Sequence, residues 1–282
     1  MPVDNRIYDR PGDLWWDDAH FLSTLRTMVN PGRVPYFQTV LRERLRLDPR
    51  GKRTLDVGCG GGVLAEEFAR WGCAVTGVDP SAPSLETARA HAMRMGLSID
   101  YRVGSGERLP FDTGTFDIVY CCDVLEHVDD PDRVIGEVAR VLKDGGVFCY
   151  DTINRTLLSR VALVALAQEW GPTRFVPRGL HDWRRFITPR ELARGLTRHG
   201  LRPRETVGLT ISGHPLALAR GVLAMRAGRL TPGEWGRRFP MQASRDLSGS
   251  YMGYAVKDGC PAGSRPMRSR RYANAAAVLV RV

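Results

Sequence analysis

Two groups of residues have the types and spacing to do chemistry. The first is Leu55-Asp56-Val57-Gly58-Cys59-Gly60-Gly61-Gly62, followed later by Val78-Asp79. A strand that runs into a glycine turn, then a helix, then a strand ending in a carboxylate is the layout that holds a nucleoside. Gly58 and Gly60 permit positive φ and close approach of the backbone to a ligand. Asp79 stands where it accepts hydrogen bonds from both hydroxyls of a ribose. The second group is Asp123-Val124-Leu125-Glu126-His127. A helical turn there puts Asp123, Glu126 and His127 on one face, at i, i+3 and i+4. Two carboxylates and an imidazole suit a divalent cation, Mg²⁺ or Zn²⁺. Alternatively His127 acts directly as a general base, or Glu126 and His127 only complement a helix N-terminus.

The glycine run does not fit a dinucleotide. In Gly-x-Gly-x-x-Gly the third glycine would fall on Val63, and no P-loop Lys-Ser/Thr follows. The spacing instead resembles the first two motifs of class I S-adenosylmethionine (SAM) methyltransferases. The later chain agrees in order. Leu109-Pro110-Phe111 precedes Phe116-Asp117-Ile118-Val119-Tyr120, a run of β-formers. Leu125-Glu126-His127-Val128 follows, and Val141-Leu142-Lys143-Asp144-Gly145-Gly146 reads as a helix end closed by a glycine turn.

These motifs need positioning elements. Strands are expected near 53–57, 74–78, 99–103, 116–121 and 146–151, with helices near 62–71, 81–95 and 131–142. Such alternation predicts an α/β fold, a Rossmann-like seven-stranded sheet, mostly parallel with one antiparallel strand, and helices on both faces. Phe37, Val40, Leu41 and Leu45 recur at helical spacing, so residues 1–50 read as an N-terminal helical segment covering the active site. The methyltransferase domain would span 51–258, with insertions at 153–187 and 212–248. Within them, 156–170 is an apolar helix candidate and 215–230 an Arg-rich one. Thr188, Pro189 and Glu191 read as a capping box opening a helix over 188–199. Strands at 202–210 and 250–256 would finish the sheet as an antiparallel pair. Residues 259–282 form a basic tail.

Composition is that of a globular chain of 282 residues, 43% hydrophobic, with formal net charge +10. Lysine occurs only at positions 52, 143 and 257, so the charge is almost wholly arginine. That bias follows a GC-rich genome and reads as a solvated surface. Six cysteines without a C-x-x-C pair fit reduced thiols. No signal-peptide pattern opens the sequence and no apolar run is long enough to span a bilayer, which places the chain in the cytoplasm.

Segments outside the glycine core narrow the family. Asp13-Leu14-Trp15-Trp16-Asp17, Met28-Val29-Asn30-Pro31-Gly32-Arg33, Thr152-Ile153-Asn154-Arg155, Val176-Pro177-Arg178-Gly179-Leu180-His181-Asp182, Arg185-Phe186-Ile187-Thr188-Pro189 and Ser250-Tyr251-Met252 resemble the ubiquinone-biosynthesis O-methyltransferase family. The resemblance implies SAM as cofactor and a phenol, catechol or quinol as acceptor, with or without a lipid tail. It covers about residues 13–210 and 247–257. The family's cofactor contacts fall on Arg33, Gly58, Asp79 and Cys122, with Arg33 facing the methionine carboxylate. Asp56, Gly60, Ser105 and Gly106 line the same expected site. The family's metal-type triad falls on Asp123, Glu126 and His127, here with Asp as first member. The helix at 156–170 and the basic loop to 178 resemble its membrane-touching insertion. An apolar face beside Arg160, Arg174 and Arg178 suits the inner, anionic membrane surface; the other reading is a lid or core helix. Ser105 stands where many relatives hold the adenine amino group with an acid, so Glu107 or a backbone carbonyl must substitute. The GC bias also keeps a phenol of secondary metabolism open as acceptor. A nucleic-acid acceptor is the alternative that the charge suggests, but Cys121-Cys122-Asp123-Val124 stands where a base-gripping Asn/Asp-Pro-Pro motif would be. No nucleic-acid partner is therefore expected.

Overall fold

The computed structural model describes residues 7–8 and 14–259. Asp13 and the basic tail beyond 259, including the final apolar stretch 273–282, lie outside the described residues.

Eight strands make one sheet: β1 Arg53–Val57, β2 Ala74–Asp79, β3 Asp100–Val103, β4 Phe116–Cys122, β5 Leu142–Ile153, β6 Leu201–Ile211, β7 Met241–Ser244 and β8 Ser250–Lys257. Their spatial order is β3-β2-β1-β4-β5-β8-β6-β7. The first five pair in parallel, while β8 runs antiparallel to both β5 and β6, and β7 antiparallel to β6. The order reverses between β1 and β4, and ligands of open α/β sheets sit outside the strand carboxyl ends at such a reversal. Both reactive motifs, Gly58–Gly62 after β1 and Asp123–His127 after β4, open there.

Two expectations need correction. The sheet gains an eighth strand, because the insertion 212–248 is not a helix and a loop. It holds α7 (Pro215–Arg226), α8 (Pro232–Arg238) and β7, which extends the antiparallel edge through Gly208↔Ser244 to Ile211↔Met241. β5 also starts earlier than the glycine turn suggested. Leu142 is fully buried and pairs with Phe116, so the chain is already extended there, and Gly145 (φ +75°) turns within the strand.

The other helices are α1 (Asn30–Thr39), flanked by π-helical turns Leu25–Val29 and Val40–Arg44, then α2 (Ala65–Arg70), α3 (Ala82–Arg94), α4 (Pro131–Val141), α5 (Leu157–Ser159), continued by π-helical Arg160–Glu169, and α6 (Pro189–Arg198). Each reads from local chemistry. Ser81 caps α3 through Ser84 N, Asp130 caps α4 through Arg133 N, and Thr188 and Glu191 form the expected capping box on α6. Phe37, Val40 and Leu41 are fully buried, which ties the N-terminal helix to the core. The five described cysteines are free and buried. No described helix is long and apolar enough to cross a membrane.

Candidate active site

Gly58 follows β1 with φ +76°, and its N–H donates to Val78 O at 2.7 Å. A Cβ there would stand 2.3 Å from Val124 Cγ2, so the loops after β1 and β4 approach closely only because position 58 has no side chain. Asp79 closes β2, 9% exposed. Its Oδ2 accepts from Gly60 N at 2.9 Å and its Oδ1 from Ser81 N at 2.9 Å. The carboxylate is thereby fixed beside the glycine loop, at the N-terminal turn of α3.

Asp56, next to the end of β1, is also buried, and burial pushes its carboxyl up to about 8. Ser105 and Gly106 follow β3. Ser105 is exposed, and its hydroxyl accepts from Glu107 N at 3.2 Å; Gly106 packs toward Val57 and Val134. Glu107 Oε1 accepts from Asp130 N at 2.8 Å, at the start of α4. Its carboxylate is thus engaged in the fold. Cys122 ends β4, buried, and burial raises its thiol.

The loop after β4 is not the expected helical turn. Asp123 takes φ +55°, a left-handed conformation for a non-glycine residue, and 125–127 form a simple turn. That backbone sends Asp123 to Arg33 rather than onto a shared face with Glu126 and His127. Arg33 is 3% exposed; its Nη2 pairs with Asp123 Oδ2, and its Nε lies 2.5 Å from Asp151 Oδ2. Asp151 Oδ1 also accepts from Asp123 N at 2.9 Å. Burial raises the Asp151 carboxyl to about 7 even against the opposing Arg33 charge. Glu126 is 2% exposed and accepts from Thr152 Oγ1 at 2.8 Å. Burial, then the Asp123 charge, push its carboxyl up to about 8. His127 is driven down to about 4, first by burial and then by Arg185, so its ring is neutral at neutral pH. The His181 ring lies 5.3 Å from it, and burial followed by His127 lowers that imidazole to about 3.

Among the described residues no three His, Cys, Asp or Glu side chains gather as a metal site. The residues here do not fit a bound cation: Asp123 is committed to Arg33 and Glu126 to Thr152.

Known proteins place this geometry. A methyltransferase-domain family model matches residues 55–150. The ubiquinone biosynthesis O-methyltransferase of Methylocella silvestris is 41% identical over 207 residues, which are 69% of this chain and 79% of that protein. Its namesake from Neisseria meningitidis serogroup C is 40% identical over 206 residues, covering 72% of this chain and 83% of that one. The chain belongs to the ubiquinone biosynthesis O-methyltransferase family. It is a SAM-dependent O-methyltransferase. Solved structures agree on the fold. A geranyl diphosphate methyltransferase in complex with GPP and sinefungin superposes with TM-score 0.55 at 20% identity, over 80% of this chain and 77% of that one. The [4+2]-cyclase SpnF superposes with TM-score 0.53 at 24% identity, over 80% and 81%.

Within this family frame, the structure brings Gly58, Gly60 and Asp79 together at the ends of β1 and β2, and Arg33 and Asp123 together at the end of β4. Sequence reasoning missed Asp151, which anchors Arg33. An acid inside the apolar run Val147-Phe148-Cys149-Tyr150 was the available signal, because a buried carboxylate needs a partner.

Proposed function

We propose that the chain transfers a methyl group from SAM to a phenolic or quinol hydroxyl of a small molecule in quinone-type biosynthesis. The observation that carries this is the family membership, 41% identity over 207 residues with a ubiquinone biosynthesis O-methyltransferase, together with a carboxylate at Asp79 fixed by the backbone of Gly60 and Ser81 where the glycine loop opens. SAM supplies an activated methyl group, so the protein's work is to bind, orient and deprotonate. Asp79, fixed by Gly60 N and Ser81 N, stands where a ribose diol would donate to its carboxylate. Gly58 and Gly60 let the backbone close on the cofactor. Arg33, which the family resemblance assigns to the methionine carboxylate, is held here by Asp123 and Asp151 and would have to exchange one of them for that ligand.

A phenol has an ordinary pKa of about 10 and gives up its proton only with help. His127 takes that proton at a ring nitrogen. Burial, then Arg185, keep the ring neutral and so able to accept a proton. No step runs through a divalent cation. Turnover in EDTA is the check: retained activity is expected, and loss restored by Mg²⁺ or Zn²⁺ would show that the loop rearranges to bind one.

The tail of such an acceptor partitions into lipid. Five large apolar side chains are exposed along α5 and its continuation: Leu157 (73%), Leu158 (53%), Val161 (45%), Leu166 (40%) and Trp170 (54%). Arg160 stacks on Trp183 beside them. This supports a peripheral lipid contact by 156–178. The decisive experiment for the function is incubation with labelled SAM and a panel of catechols, demethylated quinols and polyketide phenols. Label in no phenolic product would overturn it.

A further inference from the structure

The loop before α6 brings a second imidazole beside His127, and the surrounding chain fixes it there. Gln168 is 2% exposed, near the end of π-helical Arg160–Glu169. Its side-chain amide grips the backbone of His181 twice: Oε1 accepts from His181 N at 2.7 Å and Nε2 donates to His181 O at 3.1 Å. A buried amide whose donor and acceptor both serve one residue sets that residue's place closely. Trp183 Nε1 adds a tie to Thr156 O at 2.8 Å, at the start of the same helical stretch. From the other side, Arg185 Nη1 donates to Val128 O and Nη2 to Asp129 Oδ1, each at 3.0 Å. The loop is thereby joined to the segment that carries His127.

None of these ties uses the imidazole of His181. They run through its backbone or through its neighbours, and Asp182 is engaged in capping, its Oδ1 accepting from Arg184 N at 3.0 Å. The His181 ring lies 5.3 Å from that of His127, tilted by 45°, and 6.1 Å from the buried ring of Phe186. The residue as a whole is half-buried, yet its Nδ1 is buried and has no hydrogen-bond partner among the described residues. A buried polar atom left in that state is costly and calls for an explanation. Packing alone would be served by an apolar ring, such as that of Phe186 beside it.

We infer that His181 is a specificity-determining residue, its Nδ1 hydrogen-bonding the acceptor oxygen next to the hydroxyl held by His127, and that Gln168 is the positioning residue that sets it there. The two oxygens of a catechol lie about 2.7 Å apart, as close as hydrogen-bonded oxygens, and each bond to a nitrogen adds about 2.9 Å. Imidazoles with centroids 5.3 Å apart are within reach of such a pair. A neutral imidazole donates from one nitrogen and accepts at the other, so Nδ1 serves a hydroxyl or an alkoxy oxygen. A monophenol leaves that nitrogen unpaired, and a site built to hydrogen-bond an oxygen discriminates against the analogue that lacks it. The inference rests on the proposed function for the place of the reacting hydroxyl. It adds which neighbouring group on the acceptor ring is read, and by which residue.

The test is calorimetric binding to the full chain loaded with S-adenosylhomocysteine. The probes are an alkyl catechol and the alkyl phenol with the same tail, so the tail cancels in the ratio of their affinities. One hydrogen bond to an otherwise unpaired buried nitrogen predicts about a tenfold preference of the wild type for the catechol. His181→Phe should abolish that preference. His181→Asn keeps a hydrogen-bonding group near the place of Nδ1 and should retain most of it. Gln168→Leu removes both backbone bonds and should narrow the ratio as well, a change in selectivity that general loosening of the fold does not produce. Thermal melting of each variant confirms a folded chain, and the wild-type ratio needs no variant. Equal wild-type affinities, no catechol binding, or a ratio untouched by His181→Phe would overturn the specificity role; an unchanged ratio in Gln168→Leu would overturn the positioning role. No methyl group moves in this experiment. Absence of methyl transfer to any phenol would sink the proposed function with the ratio intact, whereas equal affinities with methyl transfer intact would sink this inference alone.

Discussion

At Asp79 one carboxylate orders its own loop, through Gly60 and Ser81, and the proposed ribose contact would use the same group. Asp79→Ala should weaken S-adenosylhomocysteine binding by about two orders of magnitude, since charge-assisted hydrogen bonds are worth about 1.5–3 kcal/mol each. Calorimetry checks this, and unchanged affinity would contradict the ribose role. Buried titratable groups give a second prediction with a definite sign. Glu126 has an ordinary value of 4.5 and a folded value of about 8. The folded state therefore binds more protons between those values, and stability from this group is full below 4.5 and lost as pH rises through 8. Glu126→Gln has no charge to bury, so its melting temperature should gain on wild type as pH rises from about 6 to about 9. A constant difference would show that Glu126 is ionised already. His127 runs the other way: its folded value of about 4 lies below the ordinary 6.5, so its contribution is lost as pH falls through that interval. At this scale the position of the glycine loop after β1 and of Asp79 at the end of β2 was legible, because both are set by backbone geometry and spacing. Sequence reasoning misjudged Asp123, because the positive φ that turns it to Arg33 arises from contacts of the surrounding loops, which spacing does not reveal.

Between elements, the close approach of the loops after β1 and β4 depends on Gly58. Gly58→Ala combines a left-handed backbone with a contact of 2.3 Å to Val124, and should destabilise the fold by about 3 kcal/mol. Denaturant melts check it; a wild-type midpoint would mean that the two loops separate freely. The helix beginning at Leu157 makes the opposite case. Its exposed leucines contribute little to the core, so Leu157→Ser with Leu158→Ser should leave the melting temperature within about 2 °C of wild type. The same pair should abolish flotation with anionic vesicles; unchanged flotation would leave the segment as a lid. Strand and helix positions were legible because caps and alternation are local: Thr188 with Glu191, Ser81 and Asp130 each start a helix where spacing predicts one. β7 was not legible. Met241-Gln242-Ala243-Ser244 alternates over only four residues and carries no β-branched or aromatic side chain, so it does not stand out as a strand until it pairs with the edge of β6.

Taken whole, the sheet has a parallel half that carries the glycine loop and an antiparallel half whose inserted α8 and β7 pack against the N-terminal helical segment. The surface arginines are widely spread, as the composition implied, and several pair with neighbouring carboxylates, among them Arg155 with Glu191 and Arg198 with Asp132. The central claim is methyl transfer from SAM to a phenolic oxygen with His127 as the base. Mass spectrometry of the product from a catechol-type quinol and isotopically labelled SAM tests it most directly, run on the wild type and on His127→Ala. Expected is a labelled aryl methyl ether from the wild type and a loss of about 10²–10⁴-fold in the variant, the usual worth of a positioned base. A label found on nitrogen or carbon, or an undiminished yield of ether from His127→Ala, would contradict it.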